Sequence, residues 1–142
     1  MTLEFDIEHI DEVAKKVLQN VKTKTILFYG EMGVGKTTFI NALVNALGGN
    51  EKTSSPTFSL VNEYEVKNDL VYHFDFYRIE NEIEVLDIGI EDYFYSGRWN
   101  FIEWPERISR ILPFETEILE LKTLKNGSRA LKLVVFDEIN KK

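Results

Sequence analysis

The chain has 142 residues, 44% hydrophobic and 29% charged, the composition of one globular domain (residues 1–142) with enough apolar side chains for a core. No apolar run approaches the roughly 20 residues of a membrane-spanning helix, and the lack of cysteine excludes disulfides and thiolate metal sites. The formal net charge of -7, without a basic stripe, argues against direct binding of DNA or RNA, so any link to nucleic acid is expected to run through another protein. The N-terminal residues Met1-Thr2-Leu3-Glu4-Phe5-Asp6 carry neither a basic nor an apolar signal region, and a cytoplasmic location is expected.

Ile7, Ile10, Val13, Ala14, Val17, Leu18 and Val21 recur at helical spacing and predict a first helix, with Asp6 placed to cap it. His9, in its first turn, reads as a solvated surface residue. Thr25 to Tyr29 is a short β-branched and aromatic run, the pattern of a buried strand. After it, Gly30-Glu31-Met32-Gly33-Val34-Gly35-Lys36-Thr37 matches G-x-x-x-x-G-K-[ST] at every fixed position. Residues 37–47 follow with apolar side chains at helical spacing, and Gly48-Gly49 stops them.

Strand, glycine loop and helix form a phosphate-binding loop, and each residue type has a physical reason. Glycines let the backbone turn tightly and approach a phosphate without a Cβ in the way. The loop's successive N–H groups form an anion nest at a helix N-terminus, where the helix dipole favours negative charge. Lys36 brings a compact positive charge to the β and γ phosphates, and the Thr37 hydroxyl, beside Thr38, is a hard oxygen ligand suited to Mg²⁺. A plain glycine turn before a core helix would need neither Lys36 nor Thr37 in register.

Residues 50–57 form a polar loop with one proline, and its Thr57 reads either as a partner for the γ-phosphate or Mg²⁺, or as a turn residue bonding its own backbone. Residues 58–66 and 70–76 flank Lys67-Asn68-Asp69 and predict a hairpin with a three-residue turn. Asp75, at the end of its second strand, is a natural Mg²⁺ partner. His73 shares a strand face with Asp75 and reads as a hydrogen-bonded structural residue, since two histidines are too few for a zinc site. Arg78 reads as a phosphate contact or a surface ion-pair partner. Residues 80–92 predict one short acidic helix ending near Gly89, whose carboxylates form a solvated face or a docking surface for a basic partner. Residues 99–104 read as a buried strand ending in Glu103, the place where P-loop proteins set an acidic residue to hold Mg²⁺ or its waters. Trp104 packs beside a nucleotide or in the core, and Pro105 opens a helix over 106–112. Alternation over 116–124, a turn at 125–128 and a return over 129–136 predict a second, half-exposed hairpin, followed by a polar tail that frays. The fold class is α/β: a mixed sheet flanked by helices, with two hairpins, built around the P-loop.

Four blocks occur in one order: the P-loop Gly30 to Phe39, Ser55-Pro56-Thr57-Phe58, His73-Phe74-Asp75-Phe76-Tyr77-Arg78 and Ile102-Glu103-Trp104-Pro105. Together they resemble the bacterial TsaE (YjeE) family over about residues 5–137. The resemblance implies an ATPase in the synthesis of N6-threonylcarbamoyladenosine in tRNA, acting with a TsaB–TsaD heterodimer that handles the tRNA. It implies ATP and Mg²⁺ as cofactors, Lys36 as the phosphate lysine, Thr37, Asp75 and Glu103 as metal-site residues, and Thr57 as a switch-like threonine. It also implies Trp104 beside the nucleotide and Arg129 near it. Glu31 departs from the aspartate of many members, at a solvent-facing position. Two other readings are a small nucleoside or nucleotide kinase, which lacks an obvious arginine-bearing lid here, and a non-catalytic assembly factor ordered by ATP. A guanine-specific GTPase is disfavoured because no Asn/Thr-Lys-x-Asp motif is present.

Overall fold

The computed structural model describes residues 1–50 and 60–136. β1 (Thr2–Phe5) leads through a 3₁₀ turn (Ile7–His9) into α1 (Ile10–Asn20), then β2 (Thr25–Tyr29) and α2 (Lys36–Ala46). β3 (Val61–Val66) and β4 (Asp69–Asp75) precede two short helices, α3 (Ile83–Asp87) and α4 (Ile90–Phe94). β5 (Trp99–Glu103), a 3₁₀ turn (Pro105–Ile108), β6 (Glu117–Thr123) and β7 (Arg129–Val134) complete the described chain.

Among the described residues the strands form one mixed seven-stranded sheet in the order β1-β7-β6-β2-β5-β4-β3. β2 lies in the middle, parallel to β5 on one side and to β6 on the other, and β4 runs parallel to β5. The antiparallel pairs are β3/β4, β6/β7 and β1/β7. The central place of β2 accounts for its sequence: a strand covered on both faces reads as a continuous apolar run, and Thr25, Ile26, Leu27 and Phe28 are all buried.

Alternate β2 side chains enter two cores. Ile26 and Phe28 join Phe101, Leu119 and Leu131 against α1 and α2, whose Val13, Ala14, Val17, Phe39, Ile40 and Leu43 are buried. Leu27, Ile102 and Phe74 face the other way, against Val85, Ile90, Phe94 and Ile108 of α3, α4 and the second 3₁₀ turn. Phe74 sits among aromatic rings, 5.6 Å from Phe76, 5.5 Å from Tyr93 and 5.7 Å from Phe94 between centroids. Each fully buried Phe or Ile contributes about 1.5–3 kcal/mol of transfer free energy. Among the described residues, no helix is long and apolar enough to cross a membrane.

Several local expectations are revised. The N-terminal stub is an edge strand, β1, because its backbone pairs with β7. The first helix is α-helical only from Ile10, and Asp6 caps the preceding 3₁₀ turn through its carbonyl rather than its side chain. The first hairpin has a two-residue turn, Lys67-Asn68, with Asn68 at φ 59°, and Asp69 belongs to β4. The acidic stretch is two helices, because Gly89 at φ 75° breaks the run and α4 continues through Tyr93 and Phe94. The helix expected over 106–112 shortens to the 3₁₀ turn Pro105–Ile108. The second hairpin forms, but its first strand also pairs with β2, so Leu119 and Leu121 are core residues. The polar tail beyond residue 136 lies outside the described residues.

A buried carboxylate secures the end of the sheet opposite the glycine loop. Glu117 is 0% exposed. Its Oε1 accepts the Lys22 N–H at 2.8 Å and the Phe136 N–H at 3.4 Å, and its Oε2 accepts the Thr23 hydroxyl at 2.8 Å. Glu117→Ala leaves these donors without their acceptor and should lower stability by about 1–3 kcal/mol. A drop in the thermal midpoint with unchanged far-ultraviolet circular dichroism would check this; an unchanged midpoint would show that the carboxylate contributes nothing net.

Candidate nucleotide site

The C-terminal ends of β2, β5 and β4 lie side by side. Phe28 is opposite Glu103, and Glu103 is opposite Asp75. The glycine loop leaves the end of β2 and α2 begins at Lys36, so the loop, two carboxylates and a helix N-terminus meet at one point of the sheet. The loop requires its glycines. Gly30 has φ 154°, and a Cβ there would meet the Leu121 carbonyl oxygen at 2.9 Å. Gly35, at φ 97°, is the left-handed residue from which α2 starts. Among the described residues, the N–H groups of Met32, Gly33 and Gly35 have no hydrogen-bond acceptor.

Lys36 is 6% exposed. Its Nζ donates to the Gly30 carbonyl at 2.6 Å and lies 3.7 Å from the Trp104 ring centroid. Burial pulls its pKa below the ordinary lysine value, opposed by the charges of Glu103, Glu106 and Asp75. Trp104, at φ 58°, follows β5 in the left-handed region, and its ring packs against Tyr77 with centroids 5.0 Å apart and planes tilted by 47°.

Glu103 is the centre of the site and is 3% exposed. The Thr37 hydroxyl donates to it, 3.3 Å from Oε1 and 3.2 Å from Oε2. His73, fully buried, places Nε2 at 2.6 Å from Oε2. Asp75 is half-buried, and its Oδ1 accepts the Tyr77 N–H at 3.0 Å. Burial is the main cause that raises its pKa above the ordinary aspartate value; Glu103 adds to it, and the Tyr77 N–H, His73 and Lys36 oppose it.

Arg129 comes from the far side of the sheet. Its Nε donates to the Val34 carbonyl at 3.1 Å and its Nη1 to the Gly127 carbonyl at 2.8 Å, so it braces the loop from outside. A cleft of about 520 Å³ borders the loop, lined among others by Tyr29, Met32, Glu120 and Lys122, a size in the range of small-molecule pockets.

Of the residues singled out from sequence, Lys36, Thr37, Asp75, Glu103, Trp104 and Arg129 therefore gather around the loop. Glu31, Met32 and Thr38 are exposed on it or just after it. Arg78 is exposed, with no ion-pair partner among the described residues. Thr57 and its block lie outside the described residues. The contact of His73 with Glu103 and that of Lys36 with Trp104 escaped sequence reasoning. His73 is two residues before Asp75, but only the β4/β5 register makes it the diagonal neighbour of Glu103.

The donor set suits a nucleoside triphosphate with a hard divalent cation: unsatisfied loop amides, one amine, one hydroxyl and two carboxylates. Strand, glycine loop and helix on a mixed sheet, with an acidic strand end beside them, define a P-loop NTPase fold. The family described as "Threonylcarbamoyl adenosine biosynthesis protein TsaE" matches residues 5–131. The chain belongs to this TsaE family of tRNA threonylcarbamoyladenosine biosynthesis proteins. It is 33% identical over 141 residues to the tRNA threonylcarbamoyladenosine biosynthesis protein TsaE of Haemophilus influenzae, covering 97% of this chain and 89% of that one. The Bacillus subtilis protein of the same name is 32% identical over 125 residues, 87% of this chain and 78% of that one. The crystal structure of Bacillus subtilis YdiB superposes with a TM-score of 0.71 at 23% identity, covering 94% of this chain and 84% of that one, and so shares the fold.

The raised Asp75 pKa gives a signed expectation. With the folded value above the unfolded one, the native state binds more protons, and stability present below the ordinary aspartate range is lost as pH rises through the folded pKa. Asp75→Asn keeps an acceptor for the Tyr77 N–H and removes that loss. The variant should melt above the parent at neutral pH, with the gap closing as pH falls below the ordinary aspartate range. A variant that melts lower at neutral pH would mean that the ionised carboxylate is stabilised in place.

Proposed function

We propose that this protein hydrolyses Mg²⁺-ATP in support of tRNA threonylcarbamoyladenosine synthesis, acting with a TsaB–TsaD heterodimer and touching tRNA only through those partners. The reading rests on one juxtaposition: Glu103 and Thr37 share a hydrogen bond next to the amine of Lys36, at the mouth of a glycine loop. Family membership supports the pathway, and the net charge of -7 agrees with a protein that leaves tRNA to its partners. Exposed Ile83 and Leu86, among Glu82, Glu84 and Asp87, offer such partners an apolar patch with an acidic rim. In this reading residues 1–142 act as one cytoplasmic ATPase domain.

The division of labour follows from the chemistry of each group. The loop N–H groups and Lys36 bind the β and γ phosphates and stabilise charge that develops on them. Thr37, with Glu103 and Asp75, would hold Mg²⁺, which when bound neutralises phosphate charge and favours in-line attack. Glu103, or Thr57, orients the attacking water. Trp104 flanks the nucleotide, and Arg129 steadies the loop that carries the amides. No arginine stands among the described site residues facing Lys36 and Glu103, so turnover by the free protein is expected to be slow and completed by the partners.

The test is ATP hydrolysis with Mg²⁺, with and without the TsaB–TsaD pair. Lys36→Ala should cost on the order of 10²–10³ in kcat, as loss of a transition-state charge donor does. Slow turnover of the parent should rise when the pair is added. Equal rates with and without the pair would remove the partner half of the reading, and hydrolysis unchanged by Lys36→Ala would remove the ATPase half.

A further inference from the structure

We propose that His73 is a positioning residue for Glu103, joined to the edge strand of the sheet by a chain of hydrogen bonds. This deepens the proposed function and rests on Glu103 being its metal-site carboxylate.

The chain crosses three strands. Asn62 Nδ2 lies 3.2 Å from the Tyr64 hydroxyl oxygen, that oxygen lies 3.3 Å from His73 Nδ1, and His73 Nε2 lies 2.6 Å from Glu103 Oε2. An amide nitrogen can only donate, so the Tyr64 oxygen accepts from Asn62, and Tyr64 shares the next hydrogen bond with His73 Nδ1. An ionised carboxylate can only accept, so His73 Nε2, 2.6 Å from Oε2, carries a hydrogen and donates it. The chain ends on a carboxylate whose other partner is the Thr37 hydroxyl, at the start of the phosphate-binding helix.

The placement is deliberate in physical terms. His73 and Tyr64 are 0% and 5% exposed and Glu103 is 3% exposed, so water contributes little to holding any of them. A carboxylate taken out of water needs compensating donors. A short bond from a fixed ring also sets which oxygen faces the sheet and which faces the loop. His73 does this from a strand, where its ring is locked by packing against Tyr64 with centroids 6.0 Å apart. The arrangement mirrors the outer-shell hydrogen bonds that orient ligands at metal sites, whose loss costs about 10–100-fold in metal affinity or activity.

A role in core packing alone would predict something else, and two substitutions separate the cases. His73→Phe keeps a ring of similar size without either nitrogen. His73→Gln keeps an N–H donor that reaches the position of Nε2. In the nucleotide-free parent, nitrogen-detected NMR of the imidazole should show a hydrogen on Nε2. In Mg²⁺ titrations at saturating ATP, read by intrinsic tryptophan fluorescence, His73→Phe should raise the half-saturating Mg²⁺ by about tenfold or more. His73→Gln should recover most of that loss, and ATP binding measured in EDTA should be unchanged in both. Tyr64→Phe, which keeps the packing, should shift the Mg²⁺ dependence in the same direction by less, and it serves if His73→Phe does not fold. A ring hydrogen on Nδ1 with Nε2 bare would overturn the proposal, as would Phe and Gln variants with the same Mg²⁺ dependence. A parent without any Mg²⁺-dependent response would instead sink the metal-site reading of Glu103, and with it the positioning role, whichever nitrogen carries the hydrogen.

Discussion

The site depends on keeping one carboxylate out of water. Glu103 is 3% exposed, and an ionised group so placed is tolerated only where donors replace its hydration. The replacements come from separate parts of the fold: the Thr37 hydroxyl from the first turn of α2 and the His73 imidazole from β4. Neither reaches Glu103 unless β2, β5 and β4 are parallel and in their observed register, with Phe28, Glu103 and Asp75 abreast. The strand pairing, the helix start and the carboxylate therefore constrain one another.

Around this centre the backbone takes up conformations that side chains rarely adopt. Gly30 fits under the Leu121 carbonyl because it has no Cβ, and Trp104 sits at φ 58°, a conformation that costs a non-glycine residue on the order of 1–3 kcal/mol. The strained turn brings the Trp104 ring under the Lys36 ammonium at 3.7 Å, and the Tyr77 ring packs against it. Lys36 is surrounded by the charges of Glu103, Glu106 and Asp75. An amine among carboxylates with hard oxygen atoms is a setting in which phosphate groups and a divalent cation complete the charge balance.

The rest of the molecule keeps this arrangement in place. Two hydrophobic cores, one on each sheet face, clamp β2 through alternate side chains, so the strand that launches the loop can neither slide nor rotate. At the opposite end of the sheet Glu117 ties the residues before β2 to the start of β6. The two buried carboxylates divide the work: Glu117 ties loop and strand ends together and holds structure, whereas Glu103 takes its donors from β4 and from the first turn of α2, beside the loop.

The amino-acid sequence by itself determined the P-loop, the strand before it, the helix after it and the acidic strand end at Glu103. Each of these is written in a local pattern: a fixed glycine spacing, a continuous apolar run, a helical period. The same patterns, with the His73 to Arg78 and Ile102 to Pro105 blocks, pointed to the TsaE family. Only the tertiary structure decided that the N-terminal stub is an edge strand, that β6 runs beside β2, and that His73 meets Glu103. The reason is that strand register and sheet order are relations between distant segments. Thr2 to Phe5 has no strong pattern until β7 supplies its hydrogen bonds, and His73 is an ordinary strand residue until β5 lies next to it with Glu103 one diagonal step away. The break at Gly89 shows the same division on a smaller scale. Its glycine was visible as a helix stop, but the continuation as α4 follows from Ile90 and Phe94 finding the core on the far side of the turn.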